Sequence, residues 1–86
     1  MSIYTDTLIE YSRVEKRIDN ATVTKKDIDA LNNIFKRCNR YIEDYKGSLD
    51  GDKWKALAEL TLYATIEVKQ VIALNKRIRQ IEREIA

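Results

Sequence analysis

Histidine and proline are missing from this chain of 86 residues, and cysteine occurs only once. Without histidine the commonest general base of enzymes is missing, and one thiol cannot form an internal disulfide or supply the several ligands of a zinc site. The sequence also has no glycine-rich phosphate loop and no nucleophile elbow. We therefore expect no catalytic residue, no bound metal and no cofactor, and we interpret the chain as non-enzymatic.

Turn-forming residues and long apolar runs are scarce as well. Two glycines, with 44% apolar and 35% charged residues, are typical of a helical protein, and a chain of this length holds one core. We therefore predict a single all-α domain over residues 1–86. No apolar run approaches the roughly 18 residues that cross a bilayer, and Met1–Asp6 lacks the basic and apolar parts of a secretion signal. We expect no membrane partner and a cytoplasmic location, in the host cytoplasm if the protein is viral.

Apolar residues recur every three or four positions in three segments, which predicts helices at about 3–19, 24–46 and 52–85. The expected architecture is a three-helix bundle, or an antiparallel helical hairpin with a short lead helix and a long C-terminal helix.

Capping residues support these helix boundaries. Ser2 is suited to cap the first helix, and Asn20 is a residue that tolerates the left-handed conformation of a helix stop. The second helix has the clearest start, with Thr24 as N-cap and Asp27 in a capping-box position. Gly47 and Gly51 bracket the polar residues 48–50, so we expect the chain to reverse direction there.

The last predicted helix is apolar on more than one side. In its first half, one apolar stripe includes Leu57 and Ala64 and another includes Leu62 and Ile66, and a single partner helix cannot cover both. In its second half, apolar residues follow heptad steps with β-branched residues at the first position of each repeat, as parallel two-stranded coiled coils prefer. These candidate interaction residues are Val71, Leu74, Ile78, Ile81 and Ile85.

The heptad pattern leads to our main functional hypothesis. In this register Arg77 and Glu82 would face each other across a parallel pair of helices. A small domain with too much apolar surface often oligomerises, so we expect the chain to associate with itself. We further expect it to bind another protein through its helix faces, as a small inhibitor or adaptor of the kind that phages and mobile elements encode.

A second hypothesis rests on charge in the second helix. Lys36, Arg37 and Arg40 concentrate positive charge and are candidate anion-binding residues, although Glu43 and Asp44 follow and would partly neutralise them. They would serve an oligomer that binds a small anionic nucleotide. A third hypothesis, binding of nucleic acid, ranks last because the net charge is only +2.

A family resemblance bears on the nucleotide hypothesis. The order of a Thr-capped middle helix, a polar loop and a last helix led by Trp54, over Thr24–Leu74, resembles phage-encoded sponges that sequester cyclic-nucleotide signals. This resemblance implies a cyclic nucleotide as ligand. No ligand-binding motif of such sponges matches this sequence residue by residue.

Three further features each have a structural and a functional interpretation. Cys38 lies on an apolar stripe, which favours a buried, inert thiol over a reactive one. Trp54 either packs against its own bundle, the interpretation we favour, or anchors a partner. The basic residues Lys76, Arg77, Arg79 and Arg83 alternate with apolar ones, so we interpret them as the outer face of the coiled coil.

Overall fold

Residues 2–85 are described by a computed structural model and form three α-helices: α1 (Ile3–Asp19), α2 (Lys25–Asp44) and α3 (Leu49–Ile85). The largest interface lies between α2 and α3, and α1 packs against both. The molecule measures 57 by 21 by 16 Å, because α3 outruns its neighbours. The prediction of an all-α fold with packed helices and a long C-terminal helix is confirmed.

Helix α1 begins and ends at the residues that the sequence predicts, but its left-handed terminating residue lies one position after Asn20. The hydroxyl oxygen of Ser2 accepts a hydrogen bond of 3.1 Å from the backbone N–H of Thr5. At the other end the left-handed residue is Ala21, with φ of 56°, whereas Asn20 has φ of −90°. The backbone N–H of Thr22 donates to the carbonyl oxygen of Arg17 at 2.9 Å, which closes a Schellman-type helix end. Asn20 therefore does not take the left-handed conformation that asparagine tolerates, and Ala21 takes it instead.

A buried carboxylate joins the start of α2 to the end of α1. The backbone N–H of Thr24 donates to Asp27 Oδ2 at 2.9 Å, which confirms the predicted start signal. Arg17 Nε donates to Asp27 Oδ1 at 2.8 Å. Burial alone would raise the pKa of Asp27, but the hydrogen bonds from Arg17 and from the Thr24 backbone outweigh it, so the pKa lies below its usual value.

The α2–α3 turn is tighter than the sequence predicts. Helix α2 ends at Asp44, and α3 begins at Leu49 rather than at about residue 52. Gly47 takes a left-handed φ of 82°, as expected of a glycine just past a helix. Ser48 caps α3, since its hydroxyl donates to the Tyr45 carbonyl at 2.7 Å and accepts from the Gly51 N–H at 3.3 Å. Gly51 is therefore part of the first turn of α3, not the far boundary of a loop.

The core lies along the shared axis of the helices. Its fully buried apolar side chains include Val14 from α1, Leu31 and Ile34 from α2, and Leu57 and Val68 from α3. Cys38 belongs to the same cluster, and burial raises the pKa of its thiol to about 11. The interpretation of Cys38 as a buried side chain is confirmed, and a thiol with so high a pKa is a poor nucleophile at neutral pH.

Three aromatic rings, one from each helix, close the end of the bundle that carries the α2–α3 turn. Trp54 is only 4% exposed. Its ring centroid lies 5.1 Å from that of Tyr4 in an edge-on arrangement and 4.8 Å from that of Tyr41 in a stacked one. Such aromatic pairs contribute about 0.5–1.5 kcal/mol each beyond their buried area. Trp54 therefore packs within its own bundle, as we favoured.

Candidate functional site

The carboxyl end of α3 extends past the rest of the bundle. Asn75 Nδ2 donates to the carbonyl oxygen of Ala21 at 3.0 Å, which fixes α3 against the α1–α2 turn. Every described residue after Asn75 is exposed. Residues 76–85 therefore form an overhang of about 15 Å at 1.5 Å per residue.

The predicted interaction residues lie on one side of α3, in the overhang and in the turn that precedes it. Leu74, Ile78, Ile81 and Ile85 are 57%, 42%, 46% and 81% exposed, and we call these four residues the tail stripe. At about 100° per residue, they lie within roughly 60° of one another around the helix. Val71 is half-buried against the core and marks where the stripe enters the bundle. Large apolar side chains grouped on one side are a typical feature of interaction surfaces.

A second apolar patch lies within the bundle length of α3. Leu57 and Ala64 of the first predicted stripe are buried, whereas Leu62 and Ile66 of the other are 50% and 54% exposed. Tyr63 beside them is also exposed. Ile66 lies about 90° and Leu62 about 130° around the helix from the middle of the tail stripe, so these two residues face a different direction from the stripe. Tyr63 lies only about 30° from the middle of the stripe, on the same side of α3.

The basic residues of α2 do not act as one group in the folded chain. Arg37 Nη1 donates to Thr7 Oγ1 and to Glu10 Oε2, at 3.0 Å in each case, and so bridges α2 to α1. Lys36 and Arg40 are exposed, and the guanidinium of Arg40 lies 6.0 Å from the centre of the Tyr41 ring. Arg37 already has a carboxylate partner, which leaves two exposed cations of the three for an external anion. Anion binding by Lys36, Arg37 and Arg40 stays a prediction.

The structure brings together a different set of cations. A groove of about 460 Å³ lies where the overhang of α3 passes the amino end of α2. Lys25 lines it from α2, and Lys76, Arg79 and Arg83 line it from α3. We call this surface the basic groove. Arg77, which the sequence grouped with these residues, does not line the groove.

Sequence reasoning did not find the basic groove. Lys76, Arg79 and Arg83 were interpreted as the outer face of a coiled coil because they alternate with the heptad positions. Lys25 is far from them in sequence, and only the antiparallel packing of α2 on α3 places it opposite them. A signal was present in the 3–4 spacing of the three α3 cations, which puts them on one side of a helix.

Within residues 2–85, no helix is both long enough and apolar enough to cross a membrane, and no group of metal-ligating side chains is arranged to hold a metal ion. Comparisons with protein-family models, with curated proteins and with solved structures found no match for this chain.

Proposed function

We propose that this protein is a non-enzymatic helical interaction module that pairs with a second copy of itself through the tail stripe. The carrying observation is the exposure of Leu74, Ile78, Ile81 and Ile85 on one side of a helix that extends beyond its own bundle. Complete burial of one such side chain contributes about 1.5–3 kcal/mol relative to full exposure. Within the described residues, no other element of the chain covers these side chains.

We infer a second copy of the chain as the partner because the apolar and the charged positions of the tail both fit a parallel pair of identical helices. The stripe continues the heptad of Val71, so the same positions of two parallel helices meet along one seam. Arg77 and Glu82 are exposed and flank the seam in positions that oppose each other between parallel partners. A parallel dimer would contain two such pairs of Arg77 and Glu82. Reversing the charge of either residue would place like charges opposite each other in both pairs.

The same chain has surface left for another protein. Leu62 and Ile66 are exposed on a side of α3 that the tail stripe does not use. A dimer would present this patch twice, which increases the effective affinity for a partner with two binding sites. We assign the protein to the class of small inhibitors or adaptors that mobile elements encode, acting in the cytoplasm, where the thiol of Cys38 stays reduced.

Light scattering coupled to size-exclusion chromatography tests self-association. The wild-type chain is expected at about twice its monomer mass of 10.1 kDa, with a shift toward the monomer on dilution. Ile78→Asp should yield a monomer, because burial of an unpaired carboxylate in an apolar seam costs several kcal/mol.

Ile66→Asp is the matched control for this experiment. Ile66 is exposed on α3 like Ile78 but lies outside the tail stripe, so the variant should remain dimeric. A wild-type chain that stays monomeric over a hundredfold range of concentration contradicts self-association. Equal loss of the dimer in both variants contradicts the assignment to the tail stripe.

A further inference from the structure

The basic groove concentrates positive charge that has no partner among the described residues. Lys25, Lys76, Arg79 and Arg83 line it, and no carboxylate is among the described lining residues. The ion pairs within residues 2–85 join Arg17 to Asp27 and Arg37 to Glu10, so they involve none of these four cations. Four positive charges exceed the net charge of +2 of the whole chain, which means that the remainder of the protein is net negative.

We propose that the basic groove binds a small ligand with several adjacent phosphate groups, of the nucleoside triphosphate class. Arginine guanidinium groups bind phosphate oxygens in a bidentate manner, and the groove has two of them, Arg79 and Arg83. Its volume of about 460 Å³ lies in the range of roughly 300–1,000 Å³ that is usual for small-molecule sites.

The lining of the groove favours a small molecule over a nucleic acid. Val23 and Ile72 supply an apolar surface beside the cations, against which a base or another apolar part can pack. Thr24 and Gln80 supply hydrogen-bonding groups at its edges. A long nucleic acid would extend beyond the groove over a surface of net negative charge, where its phosphates would be repelled.

The basic groove and the tail stripe occupy different sides of α3. Arg79 lies about 130° around the helix from the middle of the tail stripe, so the groove remains open when the stripe is covered. Ligand binding and self-association therefore involve different residues, so an experiment can contradict one proposal without contradicting the other.

Isothermal titration calorimetry with ATP in the absence of magnesium tests this site on the full-length protein. Binding is expected for the wild type, and Arg79→Gln is expected to weaken it about tenfold, because a charge-assisted, bidentate contact is lost. Inorganic tripolyphosphate should compete with ATP, since the phosphates supply most of the recognition. Added sodium chloride should weaken both.

Arg13→Gln is the matched control, because it removes an equal charge from an exposed arginine of α1 that belongs neither to the groove nor to the basic residues of α2. It should change the affinity for ATP by less than about twofold. Arg83→Gln is a second groove variant, and circular dichroism should show unchanged helix content in all three, since each arginine is exposed.

Four results would overturn the assignment. They are an absence of ATP binding to the wild type, an equal loss of affinity in Arg79→Gln and Arg13→Gln, a failure of tripolyphosphate to compete, and tighter binding of an oligothymidylate than of ATP. The last result would identify the groove as a site for single-stranded nucleic acid instead.

Discussion

Asp27 is the residue at which sequence signal and tertiary structure coincide most closely. Its position three residues after Thr24 predicted a cap, and the structure gives the same carboxylate a second partner, Arg17 of α1. The capping interaction is local, so the sequence pattern sufficed to find it. The pair with Arg17 depends on how α1 and α2 pack, and no local pattern encodes that.

The lowered pKa of Asp27 makes folding stability depend on pH in a definite direction. A carboxyl group whose pKa is lower in the folded chain stabilises the fold above its unfolded pKa, about 3.9, and this contribution is lost as the pH falls through the folded value. We expect Asp27→Asn to lower the free energy of unfolding by about 2 kcal/mol at neutral pH, because a hydrogen-bonded charge pair is lost. When the pH is lowered from neutral to below about 4, the Asp27→Asn variant should lose less stability than the wild type loses.

Urea denaturation at neutral pH and at pH of about 3 measures this difference. Asp29→Asn is the control, since Asp29 is an exposed carboxyl group on the same helix. At neutral pH this variant should lower the free energy of unfolding by less than Asp27→Asn does. An equal loss on acidification in Asp27→Asn and in the wild type would show that Asp27 does not contribute in this way.

At the scale of helices, most boundaries were predictable and one was not. Periodicity located α1 at its observed bounds and α2 to within two residues at its carboxyl end. The sequence predicts the start of α3 too late, because a glycine such as Gly51 is typical of a loop. In the structure Gly51 is buried, and a Cβ there would overlap the carbonyl oxygen of Tyr45, so glycine serves a close approach between α2 and α3.

The role of Gly51 leads to a prediction for the α2–α3 turn. Gly51→Ala should destabilise the protein by about 2 kcal/mol or more, because the new methyl group meets rigid backbone. Gly47→Ala should cost about 1 kcal/mol, since nothing lies near that position and only the left-handed φ is unfavourable. Thermal denaturation of both variants provides the comparison. If Gly51→Ala were the milder change, Gly51 could not lie in close contact with the carboxyl end of α2.

The tail stripe and the basic groove of α3 differ in how well each can be predicted from the sequence. The common side of the tail stripe was predictable, because heptad spacing puts Leu74, Ile78 and Ile81 on one side of any continuous helix. Their role in pairing stays a prediction. The basic groove was missed, because it forms only when Lys25 meets Arg79 across two helices that are distant in sequence. A helical pattern identifies a face, whereas a groove also requires the packing partner.

At the scale of the whole molecule, the bundle and the overhang differ in how far their apolar side chains are covered. The bundle buries a core and ends at Asn75, and the overhang continues α3 with apolar side chains exposed. Because α3 is one continuous helix held by the bundle, the overhang does not need to nucleate on its own. A preformed helix reduces the conformational entropy lost on pairing, which favours a short seam between two copies.

Charge reversal across this seam is the most direct test of parallel pairing. Arg77→Glu alone and Glu82→Arg alone should each weaken the dimer, because like charges then oppose each other between the two copies. An equimolar mixture of the two variants should form a heterodimer, since every opposing pair is then attractive. Light scattering should give about 10.1 kDa for each variant alone and about twice that for the mixture. A mixture that stays monomeric, or single variants that dimerise as well as the mixture, would contradict parallel pairing through the tail stripe.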